Sequence, residues 1–308
     1  VPDDPKKTKK KKSLAAQRDE LRNLAKPDPD APQRPSVDLK KIGLRVGLIL
    51  AAFWGGAVLV WSVSHSIIPF IVVGVLSTAV VVAGVWFVRL VGKQKDIGAI
   101  LQGADTEEGR KEALRRLSSE YKKDDTQAML ARAQLEMQEE PAKALVTLEA
   151  IDLSKQMEPV ADQVRSMRAM IHLTLGDVKE ARALVDAMKM GKQDDVKTRA
   201  MFASVAAEAW GRTGQGKKAL ELLEMFNADE PELGEIKVQI WRARAFAYAG
   251  VSDMKGAGRA LRKLAEMNPQ LLGMFLTSKR VHPMLAQEAK QLLMRSGAVK
   301  PKMIQKRM

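Results

Sequence analysis

From Val46 to Val88 the chain carries no Asp, Glu, Lys or Arg over 43 positions, and His65 is the one titratable side chain in that stretch. As a single helix rising about 1.5 Å per residue it would reach roughly 65 Å, about twice a hydrocarbon core of about 30 Å, so one straight span does not fit. The pattern breaks at Trp61-Ser-Val-Ser-His-Ser66, and Pro69 follows near the start of the second half, where a helix tolerates proline. Residues 42–91 are therefore expected to form a transmembrane hairpin, with helices over 42–61 and 67–88 joined by a very short turn. Enclosing some 43 uncharged residues inside a soluble domain would need far more protein around them. A secretory signal would lie nearer the N-terminus and be about half as long.

Beyond the hairpin, apolar positions recur at helical spacing with no alternation of period two, so the rest of the chain reads as all-α. The segment 96–124 is expected to hold a connector over 96–103 and a helix over 106–121, with Ala113, Leu114 and Leu117 on one side. Over 125–270 the rhythm repeats. Ala144, Ala181, Ala219 and Ala257 follow one another at intervals of 37, 38 and 38, and each is followed four residues later by an apolar residue: Leu148, Val185, Leu223, Leu261. Pro231 and Pro269 each stand twelve residues past their alanine. The helix upstream of the later turns carries a small residue (Ala169, Ala207, Ala243) and, three on, a bulkier one (His172, Trp210, Phe246). Leu271–Phe275 and Met284–Leu293, within 271–294, are expected to cap the array.

Small residue, bulky residue, glycine turn, alanine, apolar residue and a proline closing the second helix make this region resemble the tetratricopeptide repeat family. The resemblance implies an α-solenoid of about four helix pairs, in which the first helix of each pair lines a concave groove. The period is longer than the family's usual 34, the first copy has Glu139-Glu140-Pro141 in place of a glycine turn, and the fourth inserts residues around Val251–Ser252.

Charge changes the picture only when it is divided by region. The net charge is +14, yet 96–294 balances 30 basic against 30 acidic residues. The excess sits in the proline-rich tail 1–41, with 12 basic and 7 acidic residues, in four basic residues within 42–95, and in five within 295–308. Such positions suit anionic headgroups, at about 1 kcal/mol for each basic residue near the surface. A neutral repeat region without an aromatic-rich basic patch excludes a nucleic-acid partner. Lys40, Lys41 and Arg45 precede the first span, Arg89, Lys93 and Lys95 follow the second, and the turn carries none. Both termini and the repeats are thus expected in the cytoplasm. Val1 is what a GTG start codon translated literally would give, which would point to a bacterial gene, and it is equally what a processed terminus would leave; the inner membrane is the expected location. Trp61 and Trp86 fall near the expected membrane edges. Gly43-x-x-x-Gly47 and Ala51-x-x-x-Gly55 allow close packing against the second span or against another copy, a homo-oligomer.

Candidate chemistry is sparse. The absence of cysteine removes disulfides, thiol nucleophiles and thiolate metal sites. Gly211-Arg-Thr-Gly-Gln-Gly216-Lys217-Lys218 is one residue short of a phosphate-binding loop, but a helix precedes it where a strand is required and Lys218 stands where Ser or Thr would hold magnesium, so it reads as an inter-helix turn. Ser252-Asp-Met-Lys255 has serine-nucleophile spacing but occupies another turn. His65, His172 and His282 stand apart from one another. No catalytic residue, cofactor or metal ligand is assigned.

What remains is recognition. Counting back from the turns puts Met129, Met170, Met201, Glu208, Lys237, Ile240 and Arg244 on the first helices, which the resemblance places along the groove; flexible thioethers suit varied peptides. The set has both charge signs and no asparagine, so it does not reproduce the family's carboxylate clamp, and an internal segment or a helix of a membrane partner is the expected ligand. The leading expectation is a non-enzymatic scaffold or adaptor, anchored in the membrane, that binds a protein partner. A second is a periplasm-facing chaperone or biogenesis factor, because two N-terminal spans followed by such repeats resemble the CcmI family of cytochrome c maturation proteins; that layout has a long segment between its spans, and here the turn is minimal. A membrane enzyme is the third, with no nucleophile, base or metal set to carry it.

Overall fold

The computed structural model describes residues 39–64, 68–193, 195–277 and 279–297. Every element among the described residues is helical. The described residues divide into two compact units, one within 39–135 and the other within 136–297.

In the first unit, α1 (Leu39–Ser64) and α2 (Ile68–Gln102) run antiparallel. Ala57 and Val73 are buried between them, and the Trp54 indole nitrogen donates to the Ser77 hydroxyl at 3.2 Å. The other described faces of both helices are apolar and open: Leu48 is 64% exposed, Leu59 71%, Val75 65% and Val82 63%. Among the described residues no helix is long and apolar enough to cross a membrane. The side chains of Lys40, Lys41, Arg45, Trp61, His65, Trp86 and Arg89, and the tails 1–38 and 298–308, lie outside the described residues.

The expected connector over 96–103 is instead the last part of α2, which runs unbroken to Gln102. Lys93, Lys95 and Asp96 look like a terminus in sequence, but Lys93 pairs with Asp125 and lies 5.7 Å from the Tyr121 ring centroid. Ile97 and Ile100 continue a helical stripe and pack with Ala113 and Leu117 of α3 (Glu107–Glu120). Thr106 caps α3, its hydroxyl accepting from the Gly109 amide at 3.0 Å. Ala128, Ala131 and Leu135 of α4 (Thr126–Glu139) join the same cluster. The first helix of the first expected repeat thus lies largely in the N-terminal unit.

The second unit continues with α5 (Pro141–Glu149), then the pairs α6 (Glu158–Leu175) with α7 (Val178–Asp186), α8 (Val196–Arg212) with α9 (Gly216–Leu223), and α10 (Ile236–Gly250) with α11 (Met254–Met267). A 3-10 turn over Pro269–Gly273, α12 (Met274–Thr277) and α13 (Pro283–Arg295) close it. This stack of helix pairs is consistent with an α-solenoid. Ala144, Ala181, Ala219 and Ala257 are 0–1% exposed, and the apolar residues four positions on are equally buried. Small side chains at those sites let paired helices approach, and the larger Trp210, Phe246 and Leu264 fill the space beside them.

The second helix of the third pair is shorter than Pro231 suggests. α9 stops at Leu223, the chain turns through Asn227, whose side chain accepts from the Asp229 amide, and Pro231 opens a 3-10 turn. Phe226, Ala228 and Leu233 from this loop are buried in the main core. Pro269 behaves as expected, two residues past the end of α11.

Candidate partner-binding surface

Helix α8 is the centre of the repeat unit, with every residue from Ala200 to Gly211 buried except Met201. A helix that apolar and alanine-rich can be surrounded on all sides, and its long polar side chains that lie inside must then find partners within the protein; Arg199, near its start, donates to the Gln193 carbonyl at 2.6 Å. Glu208 and Arg212 stand one turn apart on it. The Glu208 carboxylate accepts from Arg212 at 3.1 Å and from Arg242 of α10 at 3.0 Å. Arg212 also donates to the Leu173 carbonyl at the end of α6 (2.8 Å) and to the Lys279 carbonyl (2.7 Å), and lies 4.9 Å from the Phe246 ring centroid. Burial pulls the Arg212 guanidinium below its ordinary range, against the charge of Glu208. One carboxylate thus holds two guanidinium groups, and the Arg212 and Glu208 side chains are only 4% and 7% exposed.

The segment after α12 closes this end of the first helices. Besides the Lys279 carbonyl on Arg212, the Arg280 guanidinium donates to the Gly176 carbonyl at 3.2 Å. Gly176 has φ +90°, and a β-carbon there would come 2.8 Å from that of Lys279, so the turn after α6 needs glycine both for its conformation and for the strap against it. Residues 279 and 280 therefore tie the second repeat to the third and cover the rim where a groove would open.

Of the seven expected groove residues, the structure gathers few. Met129 lies on α4 in the other unit. Met170 and Met201 are half-buried and pack against the main core. Ile240 is fully buried in that core, so it is no surface contact. Lys237 turns to Asp229 at 3.2 Å. Arg244 reaches back to α9, donating to the carbonyls of Leu223 (3.2 Å) and Phe226 (3.1 Å), with its guanidinium 4.6 Å from the Trp241 ring centroid. It closes the end of a short helix whose last carbonyls lack intrahelical partners. Only Glu208 sits where first helices meet, and it is already engaged.

Arg168 does for the first pair what Arg244 does for the third, donating to Leu148 and Ile151 carbonyls at 2.5 and 3.0 Å. Burial lowers both guanidinium groups from their ordinary range. Arg168 and Arg244 follow the equivalent leucines, Leu148 and Leu223, by 20 and 21 residues, a signal present in the sequence. Arg242 and the 279–280 strap had no such signal. No group of three His, Asp or Glu among the described residues could hold a metal. No protein-family model, curated protein or solved structure matches the chain.

Proposed function

We propose that this chain is a non-enzymatic scaffold or adaptor, anchored in a bacterial inner membrane by two spans, whose tetratricopeptide-like cytoplasmic unit binds a protein partner. The observation that carries the reading is the apolar surface of α1 and α2. Leu48, Leu59, Val75 and Val82 stand more than half exposed within the uncharged stretch Val46–Val88, an apolar surface of the kind a water-facing protein rarely leaves open. A lipid core accepts such faces, because both helices satisfy their own backbone groups. The charged flanks and the uncharged turn support cytoplasmic termini.

The continuity of α2 refines the mechanism. Ile97 and Ile100 bind the end of α2 to α3 and α4, so within its unit the anchor is a stiff stalk and not a slack linker. Anchoring a binding unit at a surface raises its effective concentration toward other membrane proteins without any new contact. An alkaline phosphatase fused after residue 103 is expected to be inactive and a fluorescent protein there bright. Active phosphatase at that point would favour the periplasm-facing biogenesis reading.

A further inference from the structure

The exposed stripe of α11 differs in its charge from the rest of the described protein. Over 253–297 there are eight basic and three acidic residues, whereas 96–252 has 23 and 27. Elsewhere cations are mostly engaged: Lys111 with Glu107, Arg116 with Glu120, Arg165 with Asp162, Arg182 with Asp186. Lys255, Arg259 and Arg262 are exposed, and no carboxylate among the described residues forms an ion pair with any of them. They stand at i, i+4 and i+7, a straight row about 10 Å long. Like charges at that spacing weaken a helix by roughly 0.2–0.5 kcal/mol per pair, so stability gives no reason for the row.

The row borders a cleft of about 450 Å³ between α11 and α13, floored by Gly258 and faced by Glu288. Glu288 is the one acidic group there, leaving two positive charges in excess. Charges so placed match carboxylates presented at the same helical spacing, and guanidinium forks take carboxylates in pairs of parallel hydrogen bonds. The inner ends of the first helices, by contrast, are filled by Glu208, Arg212 and the strap.

We propose that the cleft between α11 and α13 is the docking site for an acidic helical segment of the protein partner, held by Lys255, Arg259 and Arg262 with Glu288 limiting its affinity. The proposal rests on the adaptor reading and names the chemistry of the partner.

The test uses the full-length protein in discs of zwitterionic phosphatidylcholine and a fluorescein-labelled helical peptide with glutamates repeating at i, i+4, i+7. Its glutamine counterpart is the control. Fluorescence anisotropy should show binding of the glutamate peptide only. Arg259→Glu with Arg262→Glu should weaken it at least about tenfold, Glu288→Gln should tighten it about threefold, and the remote reversal Lys179→Glu with Lys197→Glu should change it less than about twofold. Unchanged binding in the Arg259/Arg262 variant, equal loss in the Lys179/Lys197 variant, or no tightening in Glu288→Gln would overturn the proposal. Displacement of the peptide by inorganic phosphate, at an ionic strength matched with chloride, would overturn it in favour of a phosphate site. Recovery of the same partners from solubilised membranes by wild type and by the Arg259/Arg262 variant would reject the cleft while leaving the adaptor reading standing; recovery of none by wild type would reject the adaptor reading, whatever the peptide does.

Discussion

A β-carbon on Gly211 would stand 2.9 Å from the α-carbon of Ala247, closer than real side chains come. The two helices that carry them, α8 and α10, touch backbone to backbone at this point, and Gly250 meets the Gly211 carbonyl from the other side. Gly211 is also the first glycine of the stretch that looked like a shortened phosphate loop. Its role is to let two repeats close on each other.

Gly211→Ala is therefore expected to destabilise the repeat unit by about 1–3 kcal/mol through overpacking, although alanine is the better helix former. Urea denaturation of the detergent-solubilised protein, followed by far-ultraviolet circular dichroism, measures this. An unchanged midpoint would show that α8 and α10 can separate without cost.

Glu208→Ala leaves the buried Arg212 and the half-buried Arg242 without their shared carboxylate and is expected to cost about 3–5 kcal/mol. Lys237→Ala removes a pair whose side chains are 35% and 63% exposed, so its cost should stay under about 1 kcal/mol. Both residues were groove candidates in sequence, and the contrast in unfolding midpoints separates an internal tie from a surface contact.

Arg244→Ala removes the donor from the Phe226 carbonyl and leaves the Leu223 carbonyl with the Phe226 amide alone, and it should destabilise by about 1–3 kcal/mol without altering binding of an acidic peptide. Arg244→Lys should recover only part of the loss, because one ammonium on a shorter stem does not reproduce the guanidinium fork. Loss of binding with undiminished stability would return Arg244 to a recognition surface.

The recurring alanines were legible because they are a matter of residue type: Ala144, Ala181, Ala219 and Ala257 are all buried on the second helices of their pairs. The direction of long side chains was not legible. Sequence places Arg244 on the first helix of a pair, but which neighbour its guanidinium reaches depends on where the preceding helix stops, and α9 stops eight residues before Pro231. Charge hid the continuation of α2, since Lys93, Lys95 and Asp96 read as an end until Asp125 and Tyr121 are seen beside Lys93. The Glu208 cluster joins residues from four separate segments, α6, α8, α10 and the strap at Lys279, and pattern within one segment could not assemble it.

Glu158 and Asp162 share Arg165 yet are shifted in opposite directions. Hydrogen bonds from Lys189 and then Arg165 hold the Glu158 carboxyl below its ordinary value, whereas burial pushes Asp162 up against its hydrogen bonds from Lys189 and Arg165. Glu158 thus adds stability that is present above its unfolded-state value and is lost as pH falls through the folded one; the Asp162 contribution falls as pH rises through its own. The difference in melting temperature between wild type and Glu158→Gln should be full at neutral pH and shrink as pH falls below the ordinary glutamate range, while carbon-13 carboxyl titration should find Asp162 above and Glu158 below their ordinary values of about 3.9 and 4.3. A difference that persists in acid would remove Glu158 from this role.

The chain has no cysteine, so a single introduced thiol reports without background. Full-length variants Ser62→Cys, Val75→Cys and Lys179→Cys, expressed in bacterial cells and treated with a membrane-impermeant maleimide, test the anchoring of α1 and α2 and the side on which the repeats stand. Ser62 lies in the last turn of α1, Val75 within α2, and Lys179 on the exposed face of α7. The account predicts labelling of Ser62→Cys in intact cells, of Lys179→Cys only after the membrane is broken, and of Val75→Cys in neither case. Labelling of Lys179→Cys from outside would put the repeats on the other side, and reaction of Val75→Cys together with release of the protein by alkaline carbonate would contradict the membrane anchor itself.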